Sequence, residues 1–172
     1  MPKSINKGLV AVSTAMMASA LLLMTPMLAA AQNPHFVKGP TLSDNTRDFS
    51  LTVSFKAAGL GNEPINIFLT SSGGSADLQC VNKGGNEPAP KQFEFGPLQG
   101  DTITVTPRNG QITASPTLEP PDLPSGRDAG CPNNNWTVRP NSITYENVEL
   151  HIEQNGQDIL GSPIDFGDVT IP

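Results

Sequence analysis

The sequence predicts an all-β protein: a single antiparallel β-sandwich, Ig-like, of about seven to nine short strands, with one disulfide and a signal peptide ahead of it. Three observations predict it. Short segments alternate apolar and polar residues. Clusters of Gly, Asn and Pro separate those segments, and no window shows sustained helical periodicity. The chain has two cysteines, both downstream of a leader-like N-terminus.

The leader comes first. Lys3 and Lys7 precede a mostly apolar, uncharged stretch centred on Ala20–Met24, and Pro26 and the small residues Ala29–Ala31 follow it. This is the layout of a secretory signal peptide, with cleavage expected between Ala31 and Gln32. A membrane anchor is the competing reading. The stretch 8–31 is long enough for the roughly 20 residues a span takes, but Ser13, Thr14, Ser19, Thr25 and Pro26 dilute it. No second apolar run follows, so no span is expected in the mature chain.

Cleavage after residue 31 leaves 141 of the 172 residues. The Lys-plus-Arg count of 10 drops by two while Asp plus Glu stays at 16, so the formal charge moves from −6 to −8. That length suits one domain with a real core. An acidic chain without a basic cluster has no electrostatic footprint for nucleic acid. Export also bears on Cys80 and Cys131. Thiols persist as disulfides in oxidising compartments, so these two are expected to pair, stabilising the fold by about 4 kcal/mol on the chain-entropy account. Two Cys and two His, all far apart, make a poor structural zinc set.

Residues 32–47 read as a loosely ordered N-terminal segment and 48–172 as the sandwich. Phe49, Leu51, Val53 and Phe55 alternate with polar residues, which places four large side chains on one strand face. After Gly59–Asn62, strands are expected at 64–70, 77–82, 92–95 and 101–106. Asn109-Gly110 favours a tight hairpin into 111–114. In SITYENVELHIEQ, 142–154, the apolar positions switch from odd (Ile143, Tyr145) to even (Val148, Leu150, Ile152), which requires a β-bulge at Glu146-Asn147. Asn155-Gly156 turns the chain into 157–160, and a last strand is expected at 164–171. Pro116–Pro140 holds six prolines and reads as a long loop. A loop of that length is uncommon unless it is functional or tied down, and Cys131 would supply the tie.

The runs AAGLGNEPINIFL, CVNKGGNEP, TPRNGQITASPTLEPP, CP and SITYENVEL together resemble a group of small exported bacterial β-rich proteins. These share an AGLGN turn, a cysteine followed by N-x-GG-N-x-P, an NG turn, and a CP ahead of a VxYxNVxL strand. The resemblance covers most of 56–152, and Ile143 stands where that last motif carries valine. It implies a secreted, disulfide-linked β-domain. It implies no activity and no site residues.

Catalytic groups are sparse. His35 falls in the N-terminal segment, and His151, between Leu150 and Ile152, should face away from the core. No G-x-S-x-G elbow and no H-E-x-x-H is present. GGNEPAP and SSGGS do not join a strand to a helix, as a phosphate loop must, and read as turns. Glu146, Glu149, Glu153, Asp165 and Asp168 read as a solvated strand face. With Asp122 and Asp128 in the long loop, Asp165 and Asp168 are weak calcium candidates. Trp136, the only tryptophan, fits core packing beside the disulfide, or a stacking platform. If the chain binds a ligand, Asn86 in the loop Lys83–Pro90 and Asn134 and Trp136 in Pro116–Pro140 are the candidates. The expected function is a non-catalytic binding or structural domain at or outside the cell surface, with no cofactor and with an extracellular protein or glycan as partner. The rival readings are a secreted, carboxylate-dependent hydrolase, calcium-assisted or not, and a subunit of a surface assembly.

Overall fold

The computed structural model describes residues 33–85, 88, 91–133, 135–160 and 163–172. The leader at 1–31, the Ala31/Gln32 junction, Asn86 and Asn134 lie outside the described residues. Twelve strands follow in chain order: β1 (His35–Asn45), β2 (Ser50–Ala58), β3 (Ile65–Ser71), β4 (Gly73–Val81), β5 (Lys91–Phe95), β6 (Leu98–Gln99), β7 (Ile103–Val105), β8 (Ile112–Ala114), β9 (Thr117–Leu118), β10 (Thr137–Gln154), β11 (Gln157–Asp158) and β12 (Ile164–Ile171). The described residues contain no helix, and so none long and apolar enough to cross a membrane.

The strands form two antiparallel sheets. In the first, β2 pairs with β1 and with β8 and β9. The second runs β5-β4-β10-β3-β6, with β11 and β12 on β10 and β7 on β3. β10 organises it. Thr144 is paired with both Ser75 and Thr170, and Glu149 with both Thr70 and Asp165. So β12 takes one edge of β10, while β4 and then β3 take the other. β3 and β4 are nearly one run, bent at Gly73-Gly74. A side chain at Gly74 would collide with the Thr144 carbonyl of β10, so glycine is required where the two backbones approach.

Alternation explains the core. Leu51, Val53, Phe55 and Ala57 of β2 meet Ile65, Ile67 and Leu69 of β3, Leu78 and Cys80 of β4, and Ile143, Tyr145, Val148, Leu150 and Ile152 of β10 in one buried cluster. The expected bulge is present: the register of β10 against β12 shifts between Tyr145 and Val148, and Asn147 has φ 46°. Asp168 Oδ1 accepts the Asn147 N–H at 3.0 Å, and Ser72 N–H donates to Glu146 O at 2.9 Å. Both polar groups that the bulge frees from the ladder therefore find partners. Asn109-Gly110 and Asn155-Gly156 turn with φ 52° and 69°, and 55° and 75°.

The structure differs from the sequence reading in four places. The SSGGS run, read as a turn, carries the end of β3 and the start of β4, which begins at Gly73 rather than at 77. Residues 35–45, read as loosely ordered, form β1 on β2. Most of its side chains are exposed and its register shifts twice, between Phe36 and Lys38 and between Lys38 and Thr41, so it shows no clean alternation. The loop expected at 116–140 is shorter: β9 takes its start, and β10 begins at Thr137. Pro140 hid this, because proline cannot donate to a ladder; it is accommodated at a register shift between Pro140 and Ser142. Phe49 precedes β2 at φ 58° and only packs against the core edge, while Ser50 is buried.

Candidate functional site

The disulfide joins Cys80, at the end of β4, to Cys131 in the loop before β10, with Cα atoms 5.7 Å apart. Both cysteines are buried, 1% and 6% exposed. The bond draws two loops together. Asn82, Lys83 and Gly84 form one wall of a cleft of about 610 Å³, and Asn133, Asn135 and Trp136 form the other. Each wall is shaped locally. Asn82 Oδ1 accepts Gly84 N–H at 2.9 Å, and Asn133 Oδ1 accepts Asn135 N–H at 2.9 Å, both asparagine-turn bonds. Trp136 N–H donates to Asn133 O at 3.3 Å. The indole is half-buried: it packs against the core and also lines the cleft.

The outer face of the second sheet carries another polar group. Alternation puts Glu149, His151 and Glu153 of β10 on that face, opposite Thr70, Phe68 and Asn66 of β3. The two-residue turn at Asn155-Gly156 then sets Asp158 opposite Glu153. His151 is 16% exposed in its side chain and Asp158 19%. The imidazole stacks on Phe68, with centroids 4.8 Å apart and planes 6° apart. Its Nε2 is 3.1 Å from Thr70 Oγ1 and 3.6 Å from Glu149 Oε2, and its Nδ1 is 3.6 Å from Asp158 Oδ2. Asp158 Oδ1 accepts Ile152 N–H at 3.1 Å. One ligand atom each of His151, Glu153 and Asp158 lie within 4.8 Å of one another.

The four calcium candidates do different work. Asp165 Oδ1 accepts Gly167 N–H at 2.6 Å, and Asp168 braces the bulge. Asp128 accepts from Ser125 Oγ at 3.4 Å on an exposed turn. Asp122 lines a separate cleft of about 430 Å³ with Asp101 and Glu119. None of the four belongs to the His151 group. His35 is exposed on β1, its Nδ1 2.9 Å from Asn33 O.

Sequence reasoning missed the convergence of His151, Glu153 and Asp158, although a signal for it was there. A two-residue Asn-Gly turn places the residues just outside it face to face, so E-Q-N-G-Q-D pairs Glu153 with Asp158. His151 lies two residues before Glu153, on the same face. No protein-family model matches this chain, and no curated protein matches it.

Proposed function

We propose that this is an exported, disulfide-stapled, non-catalytic binding domain, whose ligand surface is the Trp136 cleft and whose ligand is a neutral glycan. The observation that carries the reading is the cleft itself. A half-buried indole stands among three asparagines at the mouth of a covalent tie. An indole stacks on the apolar face of a sugar ring, and each carboxamide can both donate to and accept from ring hydroxyls. The cleft also falls in the size range of small-ligand sites. A buried disulfide supports residence outside the cytosol, where such bonds persist.

Titration of the protein with neutral oligosaccharides, read by Trp136 fluorescence, tests the ligand; the signal is unique because the chain has one tryptophan. The expected result is a saturable shift; calorimetry, which needs no tryptophan, should show affinity lost in Trp136→Ala and weakened in Asn133→Ala. Binding only to a protein partner, or glycan binding that Trp136→Ala leaves intact, would sink the glycan reading. Intact mass, with and without reduction before alkylation, tests export. Secreted material should begin at Gln32 and alkylate only after reduction.

A further inference from the structure

We infer that His151, Glu153 and Asp158 form a binding site for one divalent first-row transition ion, Zn²⁺ being the best fit to the donor set. The inference is independent of the Trp136 cleft, since the two lie at opposite ends of β10.

The distances leave room for an ion between the groups. His151 Nδ1 and Asp158 Oδ2 are 3.6 Å apart. An N–H···O bond closes at about 2.7–3.2 Å, so this pair is too long for one. Two ligands about 2.0–2.1 Å from a tetrahedral ion stand roughly 3.3–3.4 Å apart, close to what is seen. Glu153 completes a set whose atoms lie within 4.8 Å of one another. One imidazole nitrogen and two carboxylates leave the fourth position of a tetrahedron to water. An imidazole favours zinc and its neighbours over calcium or magnesium, which take oxygen ligands.

The surroundings orient the ligands as a metal site requires. A ligating histidine donates its other ring N–H to an oxygen partner, and a ligating carboxylate is itself hydrogen-bonded. Here Thr70 Oγ1 stands 3.1 Å from Nε2, with Glu149 Oε2 beyond it at 3.6 Å. With Nε2 carrying the proton, the Nδ1 lone pair faces Asp158. Asp158 spends Oδ1 on Ile152 N–H and turns Oδ2 to the ring. The Phe68 stack stops the ring from rotating out of this plane. Thr70 is thus a positioning residue.

The test is titration of the chelator-treated full chain with Zn²⁺ alone, by calorimetry and competition with a chromophoric chelator, together with histidine ¹⁵N spectra. One ion per chain is expected. Glu153→Gln and Asp158→Asn should each weaken binding by more than the roughly 10–100-fold typical of outer-shell changes, and Thr70→Val should fall within that range. Asp158→Asn keeps the acceptor for Ile152 N–H, so fold and ligation separate. His35→Ala should leave the titration unchanged, and Zn²⁺ should perturb His151 Nδ1 while Nε2 stays protonated. Absence of saturable binding, binding that survives both carboxylate variants, or binding lost with His35→Ala would overturn the proposal.

Discussion

The two ends of β10 hold polar side chains in place by different means. At the Thr137 end the residues that line the cleft sit on loops just beyond the last β4–β10 pair, Val81 with Thr137, and a disulfide ties the Cys131 loop to β4. At the Gln154 end the cluster sits on paired strands, and register brings Glu149 and Asp158 each to 3.6 Å from a ring nitrogen of His151. A covalent tie is needed where the backbone has no partner strand. It is dispensable where cross-strand neighbours are set by hydrogen bonding.

The largest test breaks the comparison at its covalent end. Replacing both cysteines (Cys80→Ala with Cys131→Ala) should cost about 4 kcal/mol for a bond that spans 51 residues. Under native conditions Trp136 emission should move to the red as the loops part, while the His151 ring signals stay in place. Chemical denaturation and fluorescence measure both. Unchanged Trp136 emission would mean that core packing of the indole, rather than the disulfide, holds the cleft.

A smaller effect is expected midway along β10. Tyr145 is fully buried, and its hydroxyl donates to Phe49 O at 2.7 Å, linking the second sheet to the turn before β2. Tyr145→Phe leaves that carbonyl unpaired and should cost about 1–2 kcal/mol, shared equally by both ends. Burial, and then the charges of Glu119 and Asp48, raise the phenol pKa above its usual 10.0. A raised pKa means the unfolded chain ionises first, so stability is intact below pH 10 and declines as pH rises beyond it. The chain has one tyrosine, so tyrosinate absorbance reports this group alone. It should lag behind that of free tyrosine until the fold opens, and Tyr145→Phe should flatten the alkaline limb.

These effects show which parts of the molecule a sequence can reveal. The strand at 50–58, the parity switch at Asn147, both Asn-Gly turns and the cysteine pair were legible because each is local, or is the only choice available. β1 was not, since its pairing with β2 depends on backbone hydrogen bonds rather than on a buried face. The start of β10 was masked by Pro140. The cleft was half legible: the sequence named its loops and Trp136, but it takes the β4–β10 pairing at Val81 and Thr137, with the disulfide beside it, to bring Asn82 and Lys83 opposite Asn133 and Asn135. The His151 cluster needed three strands in register, β3, β10 and β11. Each pairing follows a simple rule, yet the β3 partner lies 81 residues away from His151 at Thr70.

The smallest effect sharpens the comparison by lying at neither end. Asp48 closes the turn between β1 and β2. Its Oδ1 accepts from Ser50 Oγ at 2.7 Å and Ser50 N–H at 3.1 Å, and its Oδ2 accepts from Asn45 Nδ2 at 2.8 Å. The Ser50 hydroxyl, and then the Ser50 amide, hold its carboxyl below the ordinary 3.8. A lowered pKa contributes stability that is present above that ordinary value and is lost as pH falls through the folded one. Asp48→Asn should therefore lose part of the acid dependence of stability below about pH 4. At neutral pH its melting midpoint should fall by less than that of Tyr145→Phe, because the group is exposed and screened. Ligand affinity at the Trp136 cleft and Zn²⁺ affinity at His151 should both be unchanged. A shift in either would mean that the first sheet transmits strain to β10, so that the two ends are coupled rather than held separately, one by a bond and the other by register.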